Sequence, residues 1–214
     1  MNRKILIVLL VGLICGSSLT LFAEDAKQHM TRASELNSQM RYEEAIKEYE
    51  AALAIEPANI NALDRIGIAY MSLKKYDLSV KYLEKALTID PANAHLLWDL
   101  GYMYSKVGRS EDAVKTLNKS LQVKPDNKHV YYDLGFIYLQ MGNDQMAISS
   151  YEKATQIDPK FPGPYFDLGG FYADRDQKQK AKENYKKAMD LYKEEGDTAM
   201  VKSIEEKLKK IGDN

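Results

Sequence analysis

A regular internal period is the feature that most constrains the fold of this chain. Four of its six prolines recur at one fixed spacing, at Pro57, Pro91, Pro125 and Pro159. Glycines and tyrosines follow the same step, at Gly67, Gly101, Gly135 and Gly169 and at Tyr70, Tyr104, Tyr138 and Tyr172. Self-similarity at a period of about 20 to 50 residues is typical of repeat proteins. The sequence therefore predicts five repeats, at residues 26–59, 60–93, 94–127, 128–161 and 162–195.

Within each repeat, the apolar residues follow helical spacing. When the recurring proline is numbered position 32, positions 4, 7 and 11 are mostly apolar or aromatic, for example Tyr131, Leu134 and Tyr138. Steps of three and four residues return to the same helix face, so these positions form one stripe. Positions 20, 24 and 27 form a second stripe, which includes Ala147 and Tyr151. Each repeat is therefore predicted to be a helical hairpin.

Small residues mark the predicted crossing of the two helices in each repeat. Position 8 is glycine or alanine and position 20 is alanine or serine, for example Gly101 and Ala113. We expect these positions to face each other, with large residues at positions 11 and 24 filling the space beside them. The proline at position 32 lacks an amide donor and restricts the residue before it, so it should end the second helix.

These spacings resemble the tetratricopeptide repeat over residues 26–195. The resemblance implies an all-α fold, a right-handed α-solenoid of five helical hairpins. The terminal repeats depart from the pattern: the first has Ala33 and Leu36 where the others have glycine and tyrosine, and the fifth has Lys193 in place of proline. Such departures are expected at the ends of an array, because each terminal repeat lacks a neighbour on one side.

Residues 196–214 predict one further helix. Gly196, Asp197 and Thr198 are typical of a helix stop followed by an N-cap. The apolar residues that follow share one helix face: Met200, Val201, Ile204, Leu208 and Ile211. We expect this capping helix to cover the end of the fifth repeat, so that residues 24–195 form the repeat region and residues 196–214 form the capping helix and tail.

Residues 1–23 are typical of a secretory signal peptide of a bacterial protein. Arg3 and Lys4 precede an apolar stretch, and cleavage is expected after Ala23. Two alternatives stay open: residues 5–23 remain as an uncleaved membrane anchor, or Cys15 carries a lipid. In all three cases residues 24–214 are exported to the periplasm, the cell envelope or the extracellular space. Membrane contact is expected only through such an anchor or lipid.

The family resemblance implies a concave groove lined mainly by first helices, in which ligands commonly lie. The residues expected to face it combine aromatic rings with acids: Trp98, Asp99, Tyr102, Tyr132, Asp133, Phe136, Phe166 and Asp167. Rigid aromatic side chains are common anchors of bound peptides, and acids favour lysine or arginine. We therefore expect a peptide or protein partner with aromatic or apolar and basic residues.

Two alternatives to a ligand groove remain. The aromatic and acidic residues can be generic features that serve helix packing and solubility. The chain can also be a structural component of an envelope complex that self-associates and leaves the groove unoccupied.

Other classes of function find no support in the sequence. The net charge is −1, from 30 basic and 31 acidic residues. A nucleic-acid binder needs a basic face, and the sequence shows none. No nucleophile with an adjacent base and no phosphate-binding glycine loop is recognisable, so we expect neither catalysis nor a cofactor. His95 and His129 each precede an aspartate by one turn, but no local spacing forces metal ligands to converge. The sequence therefore predicts no metal site.

Overall fold

A computed structural model describes residues 25–212, and all regular secondary structure in that range is helical. The described residues divide into two compact halves, one that ends at Arg109 and one that begins at Ser110. In the N-terminal half, the helices are α1 (described over residues 25–38), α2 (Tyr42–Ile55), α3 (Ile60–Ser72), α4 (Tyr76–Ile89) and α5 (Ala94–Lys106). In the C-terminal half, they are α6 (Ser110–Val123), α7 (Lys128–Gln140), α8 (Asp144–Ile157), α9 (Pro162–Ala173), α10 (Lys178–Glu195) and α11 (Thr198–Gly212).

Helices that follow one another pack together within each half. In the N-terminal half α3 packs on α2 and α4, and α4 packs on α5. In the C-terminal half α7 packs on α6 and α8, α8 on α9, α9 on α10, and α10 on α11. The all-α class and the helical hairpins are therefore confirmed.

Asparagine side chains cap the N-termini of α3, α5 and α7, each of which is the first helix of its repeat. The side chain of Asn59 accepts a hydrogen bond from the backbone N–H of Ala62 at 3.0 Å, and Asn93 and Asn127 cap α5 and α7 in the same way. Each asparagine occupies position 34, two residues after the recurring proline. Helix α9 begins instead at Pro162. Proline has no amide hydrogen, so this first position of the helix needs no hydrogen-bond acceptor.

A left-handed residue closes the turn of every hairpin. In all five repeats the residue at position 15 has a positive φ between 56° and 79°: Met40, Lys74, Gly108, Gly142 and Asp176. Only two of these are glycines, and an ordinary side chain is strained in this conformation. The hairpin geometry therefore imposes this conformation on Met40, Lys74 and Asp176.

The glycine at position 8 makes room for the side chain at position 24. A Cβ atom at Gly135 would lie 2.6 Å from the ring of Tyr151, and one at Gly169 would lie 2.6 Å from the ring of Tyr185. The expected contact between positions 8 and 20 is present at Gly67, whose carbonyl oxygen accepts a hydrogen bond from the Ser79 hydroxyl at 2.8 Å. In the fourth and fifth repeats the nearest neighbour of the glycine is the ring at position 24. The aromatic ring therefore occupies the space that a side chain at position 8 would need.

The predicted capping helix is present as α11. Gly196 ends α10 with a φ of 78°, and the side chain of Asp197 accepts a hydrogen bond from the N–H of Met200 at 2.9 Å. Ile204 is fully buried against Tyr185 and Ala188. The apolar face of α11 therefore covers α10, as expected.

None of the helices described between residues 25 and 212 is long and apolar enough to cross a membrane. The predicted signal peptide at residues 1–23, the alternative anchor at 5–23 and the alternative lipid site at Cys15 lie outside the described residues.

Candidate functional site

In the C-terminal half, a cavity of about 350 Å³ opens among residues of helices α7 to α11. Phe136 of α7 and Phe166 of α9 contribute aromatic walls, and Asp167 contributes a carboxyl group. Phe136 is 43% exposed, although it is one of the large apolar side chains. Three of the eight predicted site residues therefore share one cavity.

The carboxyl group of Asp167 is held by tyrosine hydroxyls. Tyr151 donates a hydrogen bond to Oδ2 of Asp167 at 3.3 Å, and the hydroxyl of Tyr132 also donates to this carboxylate. Burial raises the pKa of Asp167 despite these two hydrogen bonds. Burial and the charge of Asp167 in turn raise the pKa of both tyrosine hydroxyls. The cavity therefore contains a partly desolvated acid whose orientation is fixed and whose negative charge is incompletely compensated.

The capping helix adds a cation that the sequence analysis did not include in the site. Lys207 of α11 lines the cavity, and its Nζ lies 5.6 Å from the ring centroid of Phe166. The Phe166 ring also meets Tyr185 edge to face, with centroids 5.8 Å apart. Burial raises the pKa of Tyr185 to about 12, so its hydroxyl stays protonated at neutral pH. Phe166 is therefore a fixed wall, and α11 takes part in forming the site.

Tyr132 serves packing more than it serves the cavity. Its ring centroid lies 5.8 Å from that of Tyr151 and 5.2 Å from that of Phe161. A Cβ atom at Gly163 would lie 3.2 Å from this ring, so Tyr132 packs tightly against the start of α9. Asp133, its neighbour on α7, is half-buried and does not line the cavity.

Trp98, Asp99 and Tyr102 lie on α5 in the N-terminal half, where all three are half-buried. The indole of Trp98 meets the His95 ring edge to face at 5.9 Å. Nδ1 of His95 lies 3.0 Å from Oδ2 of Asp99. Nζ of Lys106 lies 4.7 Å from the ring centroid of Tyr102. Asp99, like Asp167, therefore has partners within the protein and is not a freely exposed acid.

The N-terminal half has a larger cavity, of about 480 Å³, at its hairpin turns. Its lining includes Lys74, Lys75 and Lys106, together with Asp77 and Leu78. None of the predicted site residues lines it. The cavity of the C-terminal half combines fixed aromatic walls with an oriented acid, so it is the better candidate for recognising a side chain.

Family models match most of the folded region. A model of the tetratricopeptide repeat matches residues 129–161 and 163–195, another matches 62–93, and a TPR repeat model matches 33–74 and 104–142. No curated protein matches the chain.

Several solved structures share the fold. MamA from Desulfovibrio magneticus RS-1 is 23% identical, with a TM-score of 0.74, over 79% of this chain and 96% of that chain. PilF of Pseudomonas aeruginosa is 20% identical, with a TM-score of 0.69, over 89% and 93% of the two chains. YrrB, described as a TPR protein with an unusual peptide-binding site, is 22% identical, with a TM-score of 0.67, over 89% and 97%. At these identities, the likeness shows the fold.

Proposed function

Because this chain belongs to the tetratricopeptide repeat family, we propose that it is a protein-interaction scaffold that binds a peptide or protein partner through the first-helix face of its C-terminal half. The observation that carries this proposal is the cavity of about 350 Å³ with Phe136 and Phe166 in its walls and Asp167 in its lining. The site is small enough to select one large side chain and open enough to admit it, since Phe136 remains 43% exposed.

The chemistry of the cavity indicates which partner it fits. An apolar or aromatic side chain would be placed against Phe136 and Phe166, which contribute contact area at a low cost in conformational entropy. A lysine or arginine next to it in the partner would compensate the buried charge of Asp167, which its two tyrosine donors leave only partly stabilised. The preferred ligand is therefore a peptide segment in which an apolar residue and a basic residue are close together.

The fold supports peptide recognition as well. YrrB, which has the same fold, is described as having a peptide-binding site. For this chain the location of the site is argued from its own cavity, and not from the position of the site in YrrB.

We place this scaffold outside the cytoplasm of a bacterium, in the periplasm or at the cell envelope. This part of the proposal is supported by the pattern of residues 1–23, in which a short basic start precedes an apolar stretch. A fusion of residues 1–30 to a reporter that is active only outside the cytoplasm should be active. A silent fusion would contradict export.

Site-specific photo-crosslinking in cells tests the binding surface. A photoreactive phenylalanine at position 136 should form an adduct with a second protein, because that position faces the cavity. Met146 on α8 is the matched control, since it is also 43% exposed but does not line the cavity. The same photoreactive residue at position 146 should not form this adduct.

Two outcomes would contradict the proposal. Identical adducts from positions 136 and 146 would show non-specific contact. Adducts only between copies of this chain, together with a stable homo-oligomer in sedimentation, would favour the self-associating alternative, in which the face of Phe136 is covered by another copy.

A further inference from the structure

The N-terminal half brings three potential metal ligands together, although the sequence predicted no metal site. Asp64 belongs to α3, whereas His95 and Asp99 lie one turn apart on α5. One ligand atom from each of the three side chains lies within 4.8 Å of the others. Because the two aspartates belong to different repeats, only the packing of one repeat on the next brings them to one place.

The spacing of these atoms suits a small divalent cation. Three atoms separated by at most 4.8 Å all lie within a radius of about 2.8 Å from a common point. Zinc–nitrogen and zinc–oxygen bonds are about 2.0 to 2.2 Å, so each ligand needs to move by less than about 1 Å. Nδ1 of His95 is already 3.0 Å from Oδ2 of Asp99. That separation is close to the edge of about 3.4 Å expected between two ligands of a tetrahedral zinc ion.

Asp64 adds a second, independent observation. Its Oδ1 atom is fully buried and accepts no hydrogen bond from the described residues. A buried carboxyl oxygen without a donor is costly in free energy, and a bound cation would remove that cost.

We propose that Asp64, His95 and Asp99 bind one divalent transition-metal ion, for which zinc is the best chemical match. One imidazole and two carboxylates form a borderline-to-hard ligand set of the kind that zinc accepts. Three protein ligands leave one position for water or for a ligand atom from a binding partner. The site lies beside Trp98 and is distinct from the cavity of the C-terminal half.

The chain contains its own comparison site. His129 and Asp133 occupy the same positions of the fourth repeat as His95 and Asp99 do of the third, but Trp98 stands one full repeat after Asp64. The third ligand is thus replaced by an indole. The ring of His129 lies instead against Phe161, with centroids 5.2 Å apart. A metal is therefore expected at His95 and not at His129.

Titration calorimetry with zinc chloride tests the site in the full-length protein after treatment with a chelator. We expect one equivalent of zinc to bind and the melting temperature to rise, because binding to the folded state stabilises it. Asp64→Asn and His95→Ala should each weaken zinc binding by at least about tenfold, since a disturbed zinc site commonly loses that much affinity. His129→Ala is the matched control and should leave the affinity unchanged.

Folding of the variants is checked by circular dichroism, and Asp64→Asn is close to isosteric. His95→Gln is a second variant at a position whose side chain is 61% exposed, so its loss of affinity cannot be ascribed to unfolding. The absence of binding heat in the wild-type protein would overturn the proposal. So would zinc binding of equal affinity in wild type, Asp64→Asn and both His95 variants.

Discussion

Leu83 in the N-terminal half and Tyr151 in the C-terminal half occupy the same position, 24, of their repeats. Each lies over the glycine at position 8 of its own hairpin, Gly67 or Gly135. In each case the next repeat places an aspartate at position 6, which is Asp99 after Leu83 and Asp167 after Tyr151. The two aspartates nevertheless differ in several neighbours: Tyr151 replaces Leu83, and Tyr132 and Gly163 stand at the repeat positions of Asp64 and His95.

These neighbours change the chemistry of the aspartate. Tyr151 donates a hydrogen bond to Asp167 and fixes it in an aromatic cavity. Leucine has no donor, and Asp99 instead lies beside His95, in the cluster that includes Asp64. The same repeat position thus holds an aspartate in both halves, whereas the residues around it influence what that aspartate can bind.

The largest expected effect on stability concerns the glycine under the tyrosine ring. Gly135→Ala should lower the free energy of unfolding by about 2 kcal/mol, because its Cβ would lie 2.6 Å from a buried, rigid ring. Gly67→Ala should change it by less than about 1 kcal/mol, because the nearest atom is 3.0 Å away on a leucine and alanine favours the helix. Urea unfolding of both variants measures the difference. Equal losses of stability in the two variants would show that the side chain at position 24 does not determine how well each half tolerates a Cβ atom at position 8.

An intermediate effect is expected in the pH dependence of stability. The pKa of Asp167 is raised in the folded state, so the folded state retains a proton that the unfolded state has lost. Stability should therefore fall as the pH rises from about 4 through the raised pKa. Asp167→Asn should remove this fall, which we expect to be on the order of 1 kcal/mol, because the amide does not titrate.

Asp158 provides the opposite case in the same half. A hydrogen bond from Lys128 lowers the pKa of Asp158, so its contribution is present at neutral pH and is lost as the pH falls through that lowered pKa. Asp158→Asn should thus reduce stability at neutral pH and leave the Asp167 transition in place. Urea unfolding between pH 3 and pH 8 would contradict this account if both variants changed the profile in the same direction.

The smallest expected effect lies at the hairpin turns. Lys74 adopts a φ of 57°, whereas Gly142 at the same repeat position adopts 72°. Lys74→Gly should increase the free energy of unfolding by up to about 1 kcal/mol, because glycine tolerates this conformation. Gly142→Ala should decrease it by a similar amount. A higher thermal unfolding temperature for Gly142→Ala than for the wild type would contradict the view that a side chain at position 15 is strained.

The periodic residues of the sequence were sufficient to predict the helices and their order. Proline at position 32, glycine at position 8 and the two apolar stripes are local signals, and the fold confirms the helical hairpins that they predicted. The left-handed residues at position 15 were less apparent, because lysine and methionine give no sign of a positive φ. The conformation is imposed by the two helices that the turn connects, and not by the identity of the residue at position 15.

The site was only partly predictable for a related reason. Phe136, Phe166 and Asp167 followed from repeat positions on first helices, and they share one cavity. Lys207 was missed because it belongs to a helix outside the repeat pattern, and its approach to Phe166 depends on how α11 packs. The proximity of Asp64 and His95 was missed because it arises from the packing of one repeat on the next. No fixed spacing in the sequence indicates which residues meet in that way.

The most direct test of the central claim is the affinity of the partner identified by crosslinking from position 136. The account predicts that Phe166→Ala weakens binding by at least about tenfold, since a buried aromatic anchor commonly contributes more than about 1 kcal/mol. Met146→Ala should leave the affinity unchanged, and circular dichroism should show the same helicity in all three proteins. Unchanged affinity in a folded Phe166→Ala variant would show that the cavity of the C-terminal half is not the binding site.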